Sequence, residues 1–201
     1  MSSKLNIPIF PLNGAIFFPD TNLPLNIFEE RYLKMVDFAL ANQKKIGMIQ
    51  IKNDKSFYSI GCVGKISSYD ETEDGRYLIN LVGLNYFVLG KEILPRKKFK
   101  IHEINISNKK GGYLNEVENL NYDLLIESYT KFIKKKNLLI DCDMLKKIEK
   151  SLLIKFIAMS SPFSVEEKQM LLETFNLNEL AKKIIGLLDY HLSEEESKMI
   201  N

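Results

Sequence analysis

Apolar residues in the first half of the chain fall in short runs or alternate with polar residues, and both patterns are typical of strands. The first two runs, 5–10 and 23–27, contain or adjoin prolines, which favour extended backbone before them and exclude a helix. The pair Asp74-Gly75 predicts a hairpin between strands near Ser67 and Tyr77. Further β-rich runs lie at 46–51, 58–66, 76–83, 87–89 and 99–104.

One helix is expected to interrupt these strands. From about Glu29 or Glu30 to Leu40 the apolar residues recur at helical spacing, and the two carboxylates fall in the first turn, where they favour the helix dipole. Six or so short strands would leave two open edges unless the sheet closed on itself. The pattern therefore predicts a small β-barrel with one inserted helix.

The second half of the chain has helical spacing throughout. It begins after a polar, glycine-bearing segment at 105–115, which we interpret as a connector. Ser164 and Glu167 match the capping-box pattern that begins a helix, and the acidic residues 194–196 are expected to form a solvated tail. Four amphipathic helices joined by short turns predict a helical bundle. Their apolar stripes span 122–133, 145–159, 164–175 and 180–191.

The charges divide the chain at the same place as the pattern. Residues 1–110 carry 16 basic and 11 acidic side chains, net +5, whereas residues 111–201 carry 12 and 15, net −3. A chain of 201 residues that is 45% hydrophobic can bury a substantial core. We predict an α+β protein with a β-barrel domain at 1–110 and a helical bundle domain at 111–201.

The composition narrows the classes of partner and compartment. Lysine supplies 25 of the 28 basic residues, and arginine, the usual residue for bidentate phosphate and base contacts, supplies three, so nucleic acid is not the favoured partner. Cys62 and Cys142 lie too far apart in the sequence to suggest a zinc site or a disulfide framework. The chain begins without the apolar core of a signal peptide and has no run long enough to span a membrane, so we expect a cytoplasmic protein.

No catalytic constellation is found. The sequence has no phosphate-binding GxxxxGK[ST] loop, no GxSxG elbow and no HExxH motif, and its only histidines are His102 and His191. His191 lies on an apolar stripe, and the carboxylates of Asp141 and Asp143 suit a helix start. We therefore expect no enzyme activity, no metal and no cofactor.

The order of motifs along the chain resembles the N-terminal, substrate-binding domain family of Lon proteases. The resemblance begins with residues 11–19, PLNGAIFFP, and 23–32, LPLNIFEERY. One departure is Tyr86 before Phe87, where the family often has an arginine. The resemblance continues through IGM at 46–48, YSIGCVGKI at 58–66, DGRY at 74–77, LVG at 81–83 and PFSVEEKQMLLE at 162–173.

This resemblance implies a PUA-like β-barrel followed by a helical bundle, in a stand-alone member without the ATPase and peptidase domains of Lon. It implies a non-catalytic protein that recognises exposed apolar segments of unfolded or client polypeptides. It also implies contact with a protease or chaperone partner. The serine and lysine of the Lon peptidase belong to a domain that this sequence does not contain.

Five residues are the candidates for contact with a polypeptide: Phe17, Phe18, Arg31, Tyr32 and Arg76. Phe17 and Phe18 are adjacent, so in an extended segment one ring should point outward. That ring is either exposed, with the loop 13–22 beside an apolar groove that binds clients, or buried under the helical bundle. Arg31 has a structural alternative, an ion pair with a carboxylate such as Glu29, and Arg76 has one as the polar flank of a hairpin. The glycines at 47, 61, 64 and 83 either admit a peptide backbone or mark bulges and tight bends, and the second reading is favoured.

The alternative function from a different class is RNA binding. PUA-like barrels resemble RNA-reading domains, and the first half of this chain is net positive. The residues that favour this alternative are Arg96-Lys97-Lys98-Phe99-Lys100, although a solvated strand end explains the same stretch.

Overall fold

The computed structural model describes residues 4–53, 56–93, 98–106, 122–136 and 142–200. The strands in these residues are β1 (Lys4–Leu12), β2 (Asn22–Ile27), β3 (Lys45–Asn53), β4 (Ser56–Phe57), β5 (Ile60–Glu71), β6 (Tyr77–Glu92) and β7 (Lys100–Ile106). The helices are α1 (Glu30–Leu40), α2 (Tyr122–Lys135), α3 (Cys142–Leu145), α4 (Lys150–Ser160), α5 (Val165–Leu172) and α6 (Leu177–Ile200). The protein therefore combines a mixed sheet with helices, as the sequence predicts.

Five of the strands pair in a closed circuit. The first part of β1 pairs antiparallel with β7 and its last part pairs parallel with β3. The strands β7 and β6, β6 and β5, and β5 and β3 then pair antiparallel, which returns the path to β1. Each of these strands has a neighbour on both sides, so the circuit leaves fewer open edges than a flat sheet. A PUA-like barrel is a finer assignment than this pairing establishes, and it stays a prediction.

Two strands extend the sheet beyond this circuit. Strand β2 pairs antiparallel with the first half of β6, and β4 pairs with the end of β3. Inside the circuit, branched and aromatic side chains from all five strands pack together and exclude water. These core residues are Ile7, Ile9, Ile49, Val63, Phe87 and Ile104.

The predicted hairpin is present between β5 and β6. Gly75 takes a positive φ of 78°, and the backbone N–H of Thr72 donates to the carbonyl oxygen of Arg76 at 2.9 Å. The sequence pattern predicted two separate strands after the hairpin, at 76–83 and 87–89. This prediction was wrong, because one strand, β6, continues from Tyr77 to Glu92. The pairing of β5 with β6 continues along this length through two register shifts, between Val63 and Gly64 and between Ile66 and Ser68.

Helix α1 agrees with its predicted position and face. Its buried residues are Tyr32, Met35, Val36 and Ala39, which the apolar spacing placed on one side. The Tyr77 hydroxyl of β6 donates to Asp37 Oδ1 at 2.9 Å, which ties the exposed side of the helix to the hairpin.

The structure divides into two compact units. The first comprises residues 1–110 and 163–173, and the second comprises residues 111–162 and 174–201. Helix α5, which the sequence analysis assigned to the helical bundle, lies in the first unit. Its amide side chain Gln169 Nε2 donates to the carbonyl oxygen of Ile60 in β5 at 3.1 Å. The predicted division at residue 110 falls between β7 and α2, among residues 107–121, which lie outside the described residues.

The second unit contains α2, α3, α4 and α6. The stripe predicted from Leu145 to Met159 is not one helix, because α3 ends at Leu145 and α4 begins at Lys150. Glu149 separates them as the N-cap of α4, since its carboxylate accepts from the backbone N–H groups of Ser151 and Leu152, each at 3.0 Å.

The last helix is longer than the sequence analysis predicted. Helix α6 runs from Leu177 to Ile200, so the acidic residues 194–196 continue the helix and are not a separate tail. Within the unit, Tyr129 of α2 and Ser160 of α4 share a hydrogen bond of 2.9 Å between their hydroxyl oxygens.

Candidate functional site

The paired phenylalanines do not provide an exposed anchor. Phe17 is 1% exposed and Phe18 is 0% exposed, so both rings are buried and the alternative with an exposed ring is wrong. The alternation argument fails because residues 15–18 have no strand partner and the loop folds inward. The Thr21 hydroxyl donates to the carbonyl oxygen of Phe18 at 2.7 Å, and Asp20 takes a positive φ of 63°. Of the loop 13–22, only Asn13 lines the cleft described next.

An open cleft of about 760 Å³ lies within the first unit, where the ends of β1 and β3 meet the starts of β7, α1 and α5. Its floor is apolar and partly aromatic, and its rim is mostly cationic. The floor residues are Ile9, Pro11, Tyr32, Ile51, Phe57, Phe99 and Val165. The charged residues of the rim are Arg31, Lys52, Lys98, Lys100 and Glu166, and the uncharged polar ones are Asn13, Asn53 and Ser56.

Two of the predicted contact residues, Arg31 and Tyr32, line this cleft. The Tyr32 ring is buried and lies 4.5 Å from the Phe10 ring, between ring centroids, at an interplanar angle of 54°. The Arg31 guanidinium lies 4.5 Å from the centroid of the Tyr32 ring. Burial raises the pKa of the Tyr32 hydroxyl, so the tyrosine is neutral at physiological pH. Tyr32 therefore gives the cleft floor a fixed aromatic ring, with the Arg31 guanidinium above it.

Arg31 also makes the ion pair considered in the sequence analysis. Its Nε and Nη2 atoms lie 2.9 and 2.7 Å from Glu29 Oε2. Both side chains are about half exposed, so the pair fixes the position of the guanidinium more than it stabilises the fold.

The lysines of the rim have different partners. Lys98 shares the carboxylate of Glu30 with Lys34, and the two ammonium groups lie 2.6 and 2.7 Å from the same oxygen. Hydrogen bonds from Lys34 and then from Lys98 lower the pKa of Glu30 to about 2. Lys100 lies 3.5 Å from a Glu92 oxygen and 5.2 Å from the Phe57 ring centroid.

Arg76 does not line the cleft. It belongs to the hairpin between β5 and β6, where its Nε lies 2.7 Å from Asp74 Oδ2. A hydrogen bond from Thr72 is the main cause that lowers the pKa of the Asp74 carboxyl. Arg76 therefore lies at the polar flank of the hairpin, which is the structural alternative given for it in the sequence analysis.

Sequence reasoning missed most of the cleft. Ile9, Lys52 and Phe57 are far apart in the chain, and only the strand pairing brings them together. A signal was present in Lys98-Phe99-Lys100, which the sequence analysis used for the RNA alternative; Arg96 and Lys97 of that stretch lie outside the described residues.

The structure describes no cluster suited to a metal. Within the described ranges, no group of three or more histidine, cysteine, aspartate or glutamate residues is placed to hold an ion. The helices in those ranges include none with the length and apolar character needed to cross a bilayer. His102 is buried, and its Nδ1 lies 3.0 Å from the carbonyl oxygen of Gly90.

The glycines of the sheet approach the chain's own atoms. A Cβ atom at Gly61 would overlap the carbonyl oxygen of Met48, and one at Gly83 would overlap that of Phe18. A register shift lies next to Gly64. These positions fit the structural interpretation of the glycines, in which close packing and bulges exclude a side chain.

Comparisons with known proteins agree on one family. The family model described as the ATP-dependent protease La (LON) substrate-binding domain matches residues 6–190. A Lon protease of Brevibacillus choshinensis is 25% identical over 201 residues, which cover 94% of this chain and 25% of that protein. The chain spans about a quarter of the length of the curated relatives that it matches.

Solved structures show the same fold. The Lon N-terminal domain protein from Xanthomonas campestris has a TM-score of 0.65 and 18% identity, covering 90% of this chain and 98% of the other. The N-terminal domain of the Mycobacterium avium complex Lon protease has a TM-score of 0.64 and 17% identity, covering 93% of this chain and 100% of the other.

Proposed function

Because the chain belongs to the family of Lon substrate-binding domains, we propose that its first unit binds other polypeptides by burying their exposed apolar side chains in the cleft. The observation that carries this proposal is the cleft itself, with its apolar floor open to solvent and its volume of about 760 Å³. A cleft of this size accommodates two or three large side chains, and small-molecule sites have similar volumes.

The binding would be reversible and would depend on the state of the client. An unfolded chain exposes aromatic and aliphatic side chains, and moving each from water to the cleft contributes up to about 1.5–3 kcal/mol. A folded client buries the same side chains in its own core. Affinity is therefore expected to fall as the client folds.

We also propose a fold type, a role, a compartment and partners that membership of this family implies. The closed strand circuit is a PUA-like barrel, and its role is recognition without catalysis. The protein acts in the cytoplasm and presents clients to a protease or a chaperone. The names of the relatives support the link to proteolysis, and the buried thiol of Cys62 suits a reducing compartment.

The test compares binding of an unfolded protein to variants of the full chain. The probe is fluorescein-labelled lactalbumin that has been reduced and carboxymethylated so that it stays unfolded. Phe57 is half-buried in the cleft floor, and Phe57→Ser should weaken binding about threefold to tenfold, because part of one apolar contact is lost.

The matched control is Leu78→Ser, which removes an apolar side chain that is 44% exposed and lies outside the cleft. This variant should bind the unfolded probe as the parent does, and neither variant should bind native lactalbumin. Equal binding by the parent and Phe57→Ser, with both variants folded by circular dichroism, would refute the assignment of the cleft.

A further inference from the structure

The charged side chains that line the cleft are mostly cationic. Among the residues that the structure describes, four cationic side chains line it, those of Arg31, Lys52, Lys98 and Lys100, against one carboxylate, that of Glu166. These charges stand at the rim, whereas the centre of the floor is apolar.

Two of the rim lysines can accept a new carboxylate at small cost. Lys98 and Lys34 share Glu30, so Glu30 keeps Lys34 as its partner when Lys98 turns to another anion. Lys52 lies 5.9 Å from the Tyr58 ring centroid and has no carboxylate within ion-pair distance among the residues that the structure describes. The rim thus has more positive charge than its own carboxylates neutralise.

We propose, building on the function proposed above, that the cleft prefers polypeptide segments in which an aromatic or aliphatic side chain is flanked by aspartate or glutamate. The apolar side chain occupies the floor beside Tyr32 and Phe57, and the flanking carboxylates reach Lys52 and Lys98. Basic segments are disfavoured because they meet charges of their own sign. The cleft selects clients by charge as well as by apolar content.

Carboxylates fit this rim better than phosphates do. Three of its cations already hold carboxylates of the chain itself: Arg31 with Glu29, Lys98 with Glu30, and Lys100 with Glu92. Phosphate recognition favours the planar fork of arginine, and the described part of the cleft has one arginine, Arg31, which is already oriented by Glu29.

The experiment uses the full chain and three fluorescein-labelled peptides with one identical apolar centre. Four flanking positions are Asp in the first peptide, Asn in the second and Lys in the third, and a single-stranded RNA of ten nucleotides is the fourth probe. At low salt the Asp peptide should bind about threefold to tenfold more tightly than the Asn peptide, and the Lys peptide most weakly. The difference should shrink at high salt, because the rim charges are exposed.

A pair of double variants identifies the cations. Lys52→Gln/Lys98→Gln should bring the Asp and Asn peptides close to equal affinity, because the cations that distinguish the two peptides are gone. The matched control, Lys65→Gln/Lys91→Gln, removes the same net charge from exposed residues that do not line the cleft, and it should retain the preference for the Asp peptide.

Each contrary outcome has a separate meaning. Equal binding of the Asp and Asn peptides to the parent overturns the charge preference and leaves the proposed function standing. Loss of the preference in the control overturns the role of Lys52 and Lys98. RNA that binds more tightly than the Asp peptide, and is released by Lys52→Gln/Lys98→Gln, overturns the inference in favour of nucleic acid. No binding of any peptide overturns both the inference and the proposed function.

Discussion

Gly83 shows how closely the sheet packs on the loop that precedes β2. Its backbone N–H donates to the carbonyl oxygen of Thr21 at 2.9 Å, and its carbonyl oxygen accepts from the N–H of Asp20 at 3.0 Å. A side chain here would overlap the carbonyl oxygen of Phe18. The glycine is therefore required by the protein's own packing, and the loop that holds Phe17 and Phe18 is fixed by it.

We expect Gly83→Ala to lower the free energy of unfolding by about 1–3 kcal/mol, because the added methyl group forces the backbone of the loop to move. The measurement is urea denaturation followed by circular dichroism. Gly186→Ala is the control, since that glycine has no neighbour within 4 Å of the added Cβ and lies in α6. It should raise stability by up to about 1 kcal/mol. Equal losses in the two variants would contradict this account of Gly83.

Glu30 gives a prediction about pH. Its pKa is lowered to about 2 by Lys34 and Lys98, from an ordinary value of 4.5. A carboxyl with a depressed pKa contributes stability above its unfolded pKa and loses that contribution as the pH falls through the folded value. We expect carbon-detected NMR to show Glu30 still ionised at pH 3.5. The variant Lys98→Gln should raise the Glu30 pKa, and an unchanged value would show that Lys98 is not a partner in solution.

Helix α5 is held to the sheet by buried amide groups. Gln50 of β3 is almost fully buried, and its Nε2 donates to the carbonyl oxygen of Val165 at 3.2 Å and to Gln169 Oε1 at 3.1 Å. Lys168 Nζ donates to the carbonyl oxygen of Gly14 at 2.8 Å, and burial lowers the pKa of this lysine. Because Val165 and Glu166 line the cleft, these contacts also position one wall of it.

Replacing the central amide should loosen this helix. Gln169→Ala removes one of the two acceptors of Gln50 and the side-chain donor to the Ile60 carbonyl oxygen, and buried polar groups left unsatisfied cost about 1–3 kcal/mol each. We expect faster amide hydrogen exchange across α5 and a lower denaturation midpoint. Glu166→Gln, an exposed change on the same helix, should affect neither measurement. If both variants exchange alike, the amide contacts do not hold the helix.

Features that depend on residues close together in the sequence could be predicted from it, whereas features that depend on residues far apart could not. The capping box was predicted because Ser164 and Glu167 are three residues apart, and both of its hydrogen bonds are present, at 2.7 and 3.1 Å. The place of α5 beside the sheet depends on Gln50 and Gln169, which are 119 residues apart and carry no periodic signal. The cleft follows the same rule, since neighbours Arg31 and Tyr32 were identified and Phe57 was not.

At the scale of the whole molecule, the first unit is discontinuous. Its strands come from residues 1–110, and its last helix comes from residues 163–173, after the whole of the second unit's first segment, residues 111–162. The sheet without α5 would expose the buried amide of Gln50 and the side of β3 that α5 covers.

A fragment of residues 1–110 should therefore be less stable than the same unit in the full chain. We expect a lower urea midpoint for the fragment, and partial recovery when a synthetic peptide of residues 161–175 is added in excess. The control peptide has Gln169 replaced by Ala, which removes the contact with Gln50. An identical midpoint for the fragment and for the first unit of the full chain would show that α5 adds nothing to the sheet.

The discontinuity also sets an order of events during synthesis. The strands leave the ribosome first, and the last of them ends at Ile106. Helix α5, which completes the first unit, begins more than fifty residues later, at Val165. During that interval Val165 and Glu166 have not been synthesised, so the cleft of the nascent chain is incomplete. We therefore expect the cleft to be complete only after residues 163–173 have been translated.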